Sequence, residues 1–324
     1  MGDPDIFPGI TLISQNLLGS AITILGYGYQ NNRHLIYNKF IYKGWYPAFE
    51  ITTSYGGEPR VYTENISQNE ITFDRLNINT RIFLPLNLTR DRYIRGIQPS
   101  IIHYYSNDYY FNQATGLNDR GIHSFNHQLY AYNYLKTSKR DITPRLGQTL
   151  SLTYAHSAFN DDIESGAFIA KGKLYLPGLL KHHSIKTEYG YQQNYKPDFY
   201  SNNLTLPYGF RDVLTSFYPE TIESFNVDYI FPLFYPDLSF STLLYIKRFK
   251  AAFFYGYATI KDASFVGSED RYNLRLETMG LEITTDFFAF HLRVPFVFGA
   301  RYIYFPDTQT RKIETIFNLN LSVL

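Results

Sequence analysis

Apolar and polar residues alternate along this chain with a period of two over long segments, as strands with one apolar and one polar face require. In 313–323, Ile313, Thr315, Phe317, Leu319, Leu321 and Val323 form one face, and Glu314, Asn318, Asn320 and Ser322 the other. In 290–302, Phe290, Leu292, Val294, Phe296, Phe298, Ala300 and Tyr302 oppose His291, Arg293, Gly299 and Arg301. The pattern recurs with Phe225, Val227, Tyr229 and Phe231 against Ser224, Asn226 and Asp228, and with Ile185, Thr187, Tyr189 and Tyr191 against Lys186, Glu188 and Gln192. With Gly, Pro and polar clusters as punctuation, strands are predicted at 18–30, 34–43, 45–55, 69–84, 92–107, 122–136, 146–157, 164–177, 182–194, 222–232, 249–261, 273–288, 290–304 and 311–323.

Strands of roughly 10–15 residues are long beside the ~5–6 usual in soluble proteins. The polar faces also carry charge, at Arg275, Glu277, His291, Arg293, Arg301, Lys171 and Lys173. Both features predict an all-β fold, a transmembrane antiparallel β-barrel of about 14 strands (14–16), with those seven residues facing a wet interior. The connections alternate in the same sense. Short or Pro-punctuated turns at 43–45, 84–86, 176–178 and 231–233 are expected on the periplasmic side, and long polar loops at 56–68, 108–121, 195–221 and 262–272 outside. Residues 1–17 are expected to be a periplasmic lead-in and 18–324 the outer-membrane barrel. Two segments are irregular. Residues 233–248 read either as a long turn or as a further strand, and alternation slips within 273–288, where a bulge near Thr278 would restore the faces.

Composition removes competing classes. No run approaches the ~20 apolar residues of a transmembrane helix. The charge balance of 30 Lys+Arg against 29 Asp+Glu offers no polybasic field, so no nucleic-acid partner is expected. A hydrophobic content of 44%, with 18% aromatic residues, is too high for disorder. Zero Cys removes disulfides, thiolate metal sites and thiol catalysis. The start, Met1 to Asp5, lacks the basic and apolar regions of a signal peptide, so an exported form is expected to be a trimmed chain. The 31 Tyr and 27 Phe, in a chain of mean hydropathy −0.26, suit lipid-facing and girdle positions averaged against polar ones.

Candidate chemistry is sparse. His123 and His127 share a strand face but stand about 13 Å apart at the usual rise, too far to share one metal without a partner strand. His182 and His183 are expected to be solvated at a turn exit, and Asp161-Asp162, near His156-Ser157, to be loop carboxylates facing water rather than part of a hydrolase site. Gly26-Tyr27-Gly28-Tyr29 lacks the following helix that a phosphate cradle needs. No catalytic residue, metal or cofactor is expected, and the chain is read as no enzyme.

From about Asn203 the order of elements resembles the outer-membrane insertase and two-partner-secretion superfamily, the Bam-type barrel. The residues are Leu206-Pro207-Tyr208-Gly209-Phe210-Arg211-Asp212 in a long loop, Phe225 to Leu233 as the next strand, and then Phe253-Phe254-Tyr255-Gly256-Tyr257-Ala258. The resemblance implies a sixteen-stranded barrel in which an Arg-Gly-Phe loop motif is anchored inside by its Arg, through charge-assisted hydrogen bonds. This chain departs from the pattern. The family Arg falls on Tyr208, an Arg comes only at Arg211, and the family Asp falls on Gly256. The motif loop (Tyr208, Gly209, Phe210, Arg211) is therefore expected to be held by Arg211 or by packing of Phe210 and Tyr208.

The resemblance implies a role in protein assembly or transport at the outer membrane, with lipid and lipopolysaccharide around the barrel and periplasmic or outer-membrane proteins as partners. The residues also allow a passive pore or ligand-uptake channel, and a scaffold or adhesin barrel.

Overall fold

The computed structural model describes residues 9–30, 33–63, 70–112, 117–138, 140–159, 165–195, 203–210, 217–240, 243–265, 270–289 and 296–319. Among them are twenty β-strands. The first eight are β1 (Gly9–Gln15), β2 (Ala21–Gln30), β3 (Arg33–Tyr42), β4 (Ala48–Gly56), β5 (Arg60–Thr63), β6 (Glu70–Phe73), β7 (Leu76–Phe83) and β8 (Leu86–Asn87). Next come β9 (Tyr93–Asn112), β10 (Leu117–Leu135), β11 (Gly147–Ser157), β12 (Gly166–Pro177) and β13 (Ser184–Tyr195). The last are β14 (Phe217–Tyr218), β15 (Thr221–Phe234), β16 (Leu238–Phe240), β17 (Leu244–Phe265), β18 (Arg271–Ala289), β19 (Phe296–Phe305) and β20 (Thr310–Leu319).

Each of the predicted segments overlaps a described strand, but the strand count is higher than fourteen. Eighteen strands belong to one sheet, and β5 and β6 form a separate hairpin. Strand β1 was expected to be lead-in, yet it pairs with β2 from Gly9↔Gly28 to Gln15↔Ile22. Its apolar residues Ile10, Leu12 and Ile13 break the alternation and are all exposed, which is why a period-two reading passes over it. Strands β8, β14 and β16 have only two or three residues, too few to carry a period. Residues 233–248 resolve into the end of β15, the three-residue β16 and the start of β17, on which β16 folds back. The ladders are antiparallel, and among the described residues they do not close the sheet into a barrel.

The chain divides into two compact units. In the first (Met1–Leu86, Ile97–Leu129 and Thr153–Ala167), Leu25, Tyr27, Tyr29, Ile36, Tyr55, Ile82 and Ile101 are exposed. The opposite face is polar. Glu50 stands opposite Arg81 and accepts a 2.9 Å ion pair from Lys39, and Asn77 donates to Ser54.

In the second unit (Asn87–Gly96, Tyr130–Leu152 and Phe168–Leu324) the inversion is sharper. Tyr189, Phe225, Phe253, Met279, Ile283, Phe298 and Tyr302 are exposed, while Glu188, Gln192, Asn194, Ser224, Asn226, Asp228, Thr278, Thr284 and Asp286 are buried. Polar groups inside and large apolar groups outside reverse the order of a water-soluble core. Such a surface suits a hydrocarbon solvent, with polar side chains satisfying one another within.

The expected bulge near Thr278 is absent. The β17–β18 ladder runs without interruption from Ile260↔Leu274 to Arg248↔Asp286, and its irregularities fall at 246/248 and 260/263. The slip in alternation has another cause. Towards the long-loop end the buried face itself turns apolar, with Ile222, Ala258, Ile260, Ala263 and Leu276 buried there. Leu276 is thus an inward residue, and its neighbours Arg275 and Glu277 point the other way.

Candidate functional site

The long connection between β13 and β15 returns onto the buried polar face of the second unit. Leu204, Leu206, Pro207 and Pro219 are buried. The backbone of this loop is fixed by polar side chains of the strands beneath it. Gln192 accepts from the Asn203 amide at 2.9 Å, Asn226 donates to the Thr205 carbonyl at 2.9 Å, and Asn194 donates to the Pro219 carbonyl at 2.8 Å. The Thr205 hydroxyl donates to Glu188 at 2.8 Å, and Lys173 holds the other Glu188 oxygen at 3.2 Å. An irregular loop can be buried only if its backbone groups find such partners.

Two glycines let the loop come close. A Cβ on Gly256 would lie 2.9 Å from the Pro207 Cβ, and one on Gly190 would lie 2.9 Å from Leu204. Gly209 itself has φ +90°, a left-handed conformation open to glycine, and a Cβ there would meet Phe305 at 2.7 Å.

The tip of the loop is gripped from the strands. Tyr208 packs edge-on against Phe254 with centroids 4.7 Å apart, and the Arg301 guanidinium lies 3.7 Å from the centre of the Tyr208 ring. Phe210 packs edge-on against Phe305 at 5.2 Å. Arg301 is aimed by its neighbours, donating to Glu282 at 2.6 and 3.0 Å and pairing with Glu314 at 3.6 Å. All three occupy one row, because Arg301 stands opposite Glu282 of β18 and Glu314 of β20. Burial, followed by the nearby Asp228 carboxylate, pushes the Tyr208 phenol up to about 12, so the ring under the guanidinium is neutral. A cation over a desolvated aromatic face contributes about 2 kcal/mol.

Of the expected inward residues, Lys173 and Arg301 lie on the polar face in these pairs, and Lys171 lies two residues from Lys173 on the same side of β12. Arg275 and Glu277 do not. Glu277 accepts from the Tyr255 hydroxyl at 3.0 Å and pairs with Arg275 at 3.3 Å, and Arg275 lies over the Tyr257 ring, all on the exposed apolar face. His291, Arg293 and Arg211 fall outside the described residues, as do Asp161 and Asp162.

Both turn-exit histidines have partners, contrary to their expected solvation: His182 Nδ1 lies 2.8 Å from Asp141, and His183 Nδ1 lies 2.8 Å from the Tyr229 hydroxyl. In the first unit, strand pairing brings His103 against His123 and His156 against His127, with ring centroids 5.3 Å apart in each pair. No group of three or more ligating residues suited to a metal ion occurs among the described residues.

Arg301 is expected on the polar face, and the loop is expected to be held by Arg211 or by packing of Phe210 and Tyr208; both rings pack, and Arg301 joins Tyr208 without having been expected there. Its stacking on Tyr208 joins residues far apart in sequence, and no local pattern announces it.

No protein-family model matches the chain, and no curated protein matches its sequence. Its fold is similar to that of BamA from Haemophilus ducreyi lacking POTRA domains 1–3, with a TM-score of 0.50 at 11% identity. The match covers 96% of this chain and 66% of that one, so the chain spans slightly less than two thirds of its length. At this identity the likeness is one of fold, and it gives the chain the all-β architecture of a BamA-like barrel.

Proposed function

We propose that this chain is an integral outer-membrane β-barrel that assists protein assembly or transport, in the manner of insertase and translocase barrels. The observation that carries this reading is the long loop folded onto a buried polar face inside an apolar exterior, on a fold similar to BamA. The exposed aromatics and aliphatics meet lipid and lipopolysaccharide, and the work needs no bond chemistry.

In this reading the working edge is the side of β1 turned away from β2. Strand β1 is exposed along its whole length, and its described ladder runs to β2. A strand with free N–H and C=O groups on one side accepts a client strand by β-augmentation, with main-chain hydrogen bonds providing affinity regardless of client sequence. The loop covering the polar face weighs against a wide, passive channel.

The test is reconstitution. Proteoliposomes carrying the chain should fold a urea-denatured outer-membrane barrel faster than empty liposomes of the same lipid. Equal rates would reject the assembly role, and recovery of the chain in the soluble fraction without detergent would reject the membrane assignment.

A further inference from the structure

The connection between β10 and β11, residues 136–146, runs well beyond its own hairpin. Starting beside β10 and returning into β11, it touches β13, the segment after β15, and β17, so it folds inward over the turn end of the polar face. The Thr143 hydroxyl donates to Ser184 of β13 at 2.6 Å. The Arg140 carbonyl accepts from the Tyr235 hydroxyl at 2.8 Å, and the Asp141 carbonyl accepts from Arg248 Nη1 at 3.1 Å.

Of these anchors Ser184 and Arg248 are buried and Tyr235 is half-buried. Arg248 also donates through Nε to Asp286, whose other oxygen is held by Lys250 at 2.7 Å. The Asp141 side chain, only 8% exposed, is held by His182 at 2.8 Å, by Arg145 at 3.3 Å and by the Ser138 amide at 3.1 Å. Ser184 on β13, where the strap lands, is buried, as are Thr284 and Asp286 on β18, the strand paired with β17.

We propose that residues 140–145 are a gate over the turn end of the polar face, closed by the Arg248 and Tyr235 contacts and opened as a unit when these release. The fastening suits a reversible device. It uses hydrogen bonds to two backbone carbonyls and one hydroxyl pair, each of modest net strength because water competes for the same groups. The polar groups uncovered on opening are the ion-paired Arg248, Lys250 and Asp286, which water can solvate. The proposal concerns access to the polar face and stands apart from the assembly role.

The chain has no cysteine, so Thr284→Cys creates a single reporter on the covered face. In detergent its labelling by a water-soluble maleimide should be slow, and Arg248→Ala should speed it at least tenfold. A second variant, Asp141→Asn with Tyr235→Phe, leaves the Arg248–Asp286 pair in place and should also speed labelling, which separates gate opening from misfolding. Oxidising a Thr143→Cys/Ser184→Cys pair in the second background should restore slow labelling, and reduction should release it. Unchanged labelling in the second variant, or rapid labelling of the reporter in the otherwise native chain, would overturn the gate. Whether the chain fractionates with membranes does not enter this readout, so failure of the outer-membrane reading would be seen separately.

Discussion

Arg301 of β19 stacks on Tyr208 of the long loop at 3.7 Å while donating to Glu282 of the adjoining strand. The strand thus supplies the cation and the loop supplies the aromatic ring, whereas the resemblance implies a cation on the loop. Replacing Arg301 with Ala removes the stack and takes from Glu282 the guanidinium that holds it. We expect a loss of about 2–4 kcal/mol, read as a lower temperature of heat-modified migration, with faster proteolysis of the loop. Tyr208→Phe, which keeps the ring, should behave as the native chain. Equal protease resistance in Arg301→Ala would dismiss the clasp.

Gly256 stands where the resemblance to Bam-type barrels would place an Asp. A Cβ there would come within 2.7 Å of Asn226 Oδ1 and 2.9 Å of Pro207. Gly256→Asp should therefore expel the loop rather than strengthen it, and protease access near Pro207 reports the outcome.

The exposed apolar face makes a separate prediction. Phe253→Arg or Ile283→Arg places a charge on the face that meets lipid, at a cost of about 2–4 kcal/mol near the bilayer midplane. Refolding yield into liposomes should fall. Arg275→Ala lies on the same side of β18, and by removing a charge from that face it should leave the yield intact or raise it.

Acid should open the strap only at low pH. Burial raises the Asp141 carboxyl, but bonds from His182 and Ser138 and the charge of Arg145 outweigh it and hold the group below its usual value of 3.8. A carboxyl depressed on folding contributes stability that is present above its unfolded pKa and lost as pH falls through the folded one. Amide hydrogen exchange at 140–145, corrected for the intrinsic rate at each pH, should therefore stay slow from neutral pH down past the ordinary carboxylate range and rise only below it. Asp141→Asn should remove that acid step.

Alternation gave away the fourteen long segments because a strand's side-chain period does not depend on where the strand sits in the sheet. It failed at β1, whose Ile10, Leu12 and Ile13 are exposed together, and at β18, where an apolar patch on the buried face reversed the parity on which Arg275 and Glu277 were placed.

By itself the sequence determined the all-β architecture, the positions of most strands and the polar side on which Lys173 and Arg301 stand, since these follow from residue spacing along the chain. Tertiary structure alone decided what those polar residues hold: the loop under Arg301, the strap under Arg248, and the pairing of Glu188 with Thr205. Such contacts depend on how a loop closes over a face, and loop closure leaves no period in the sequence.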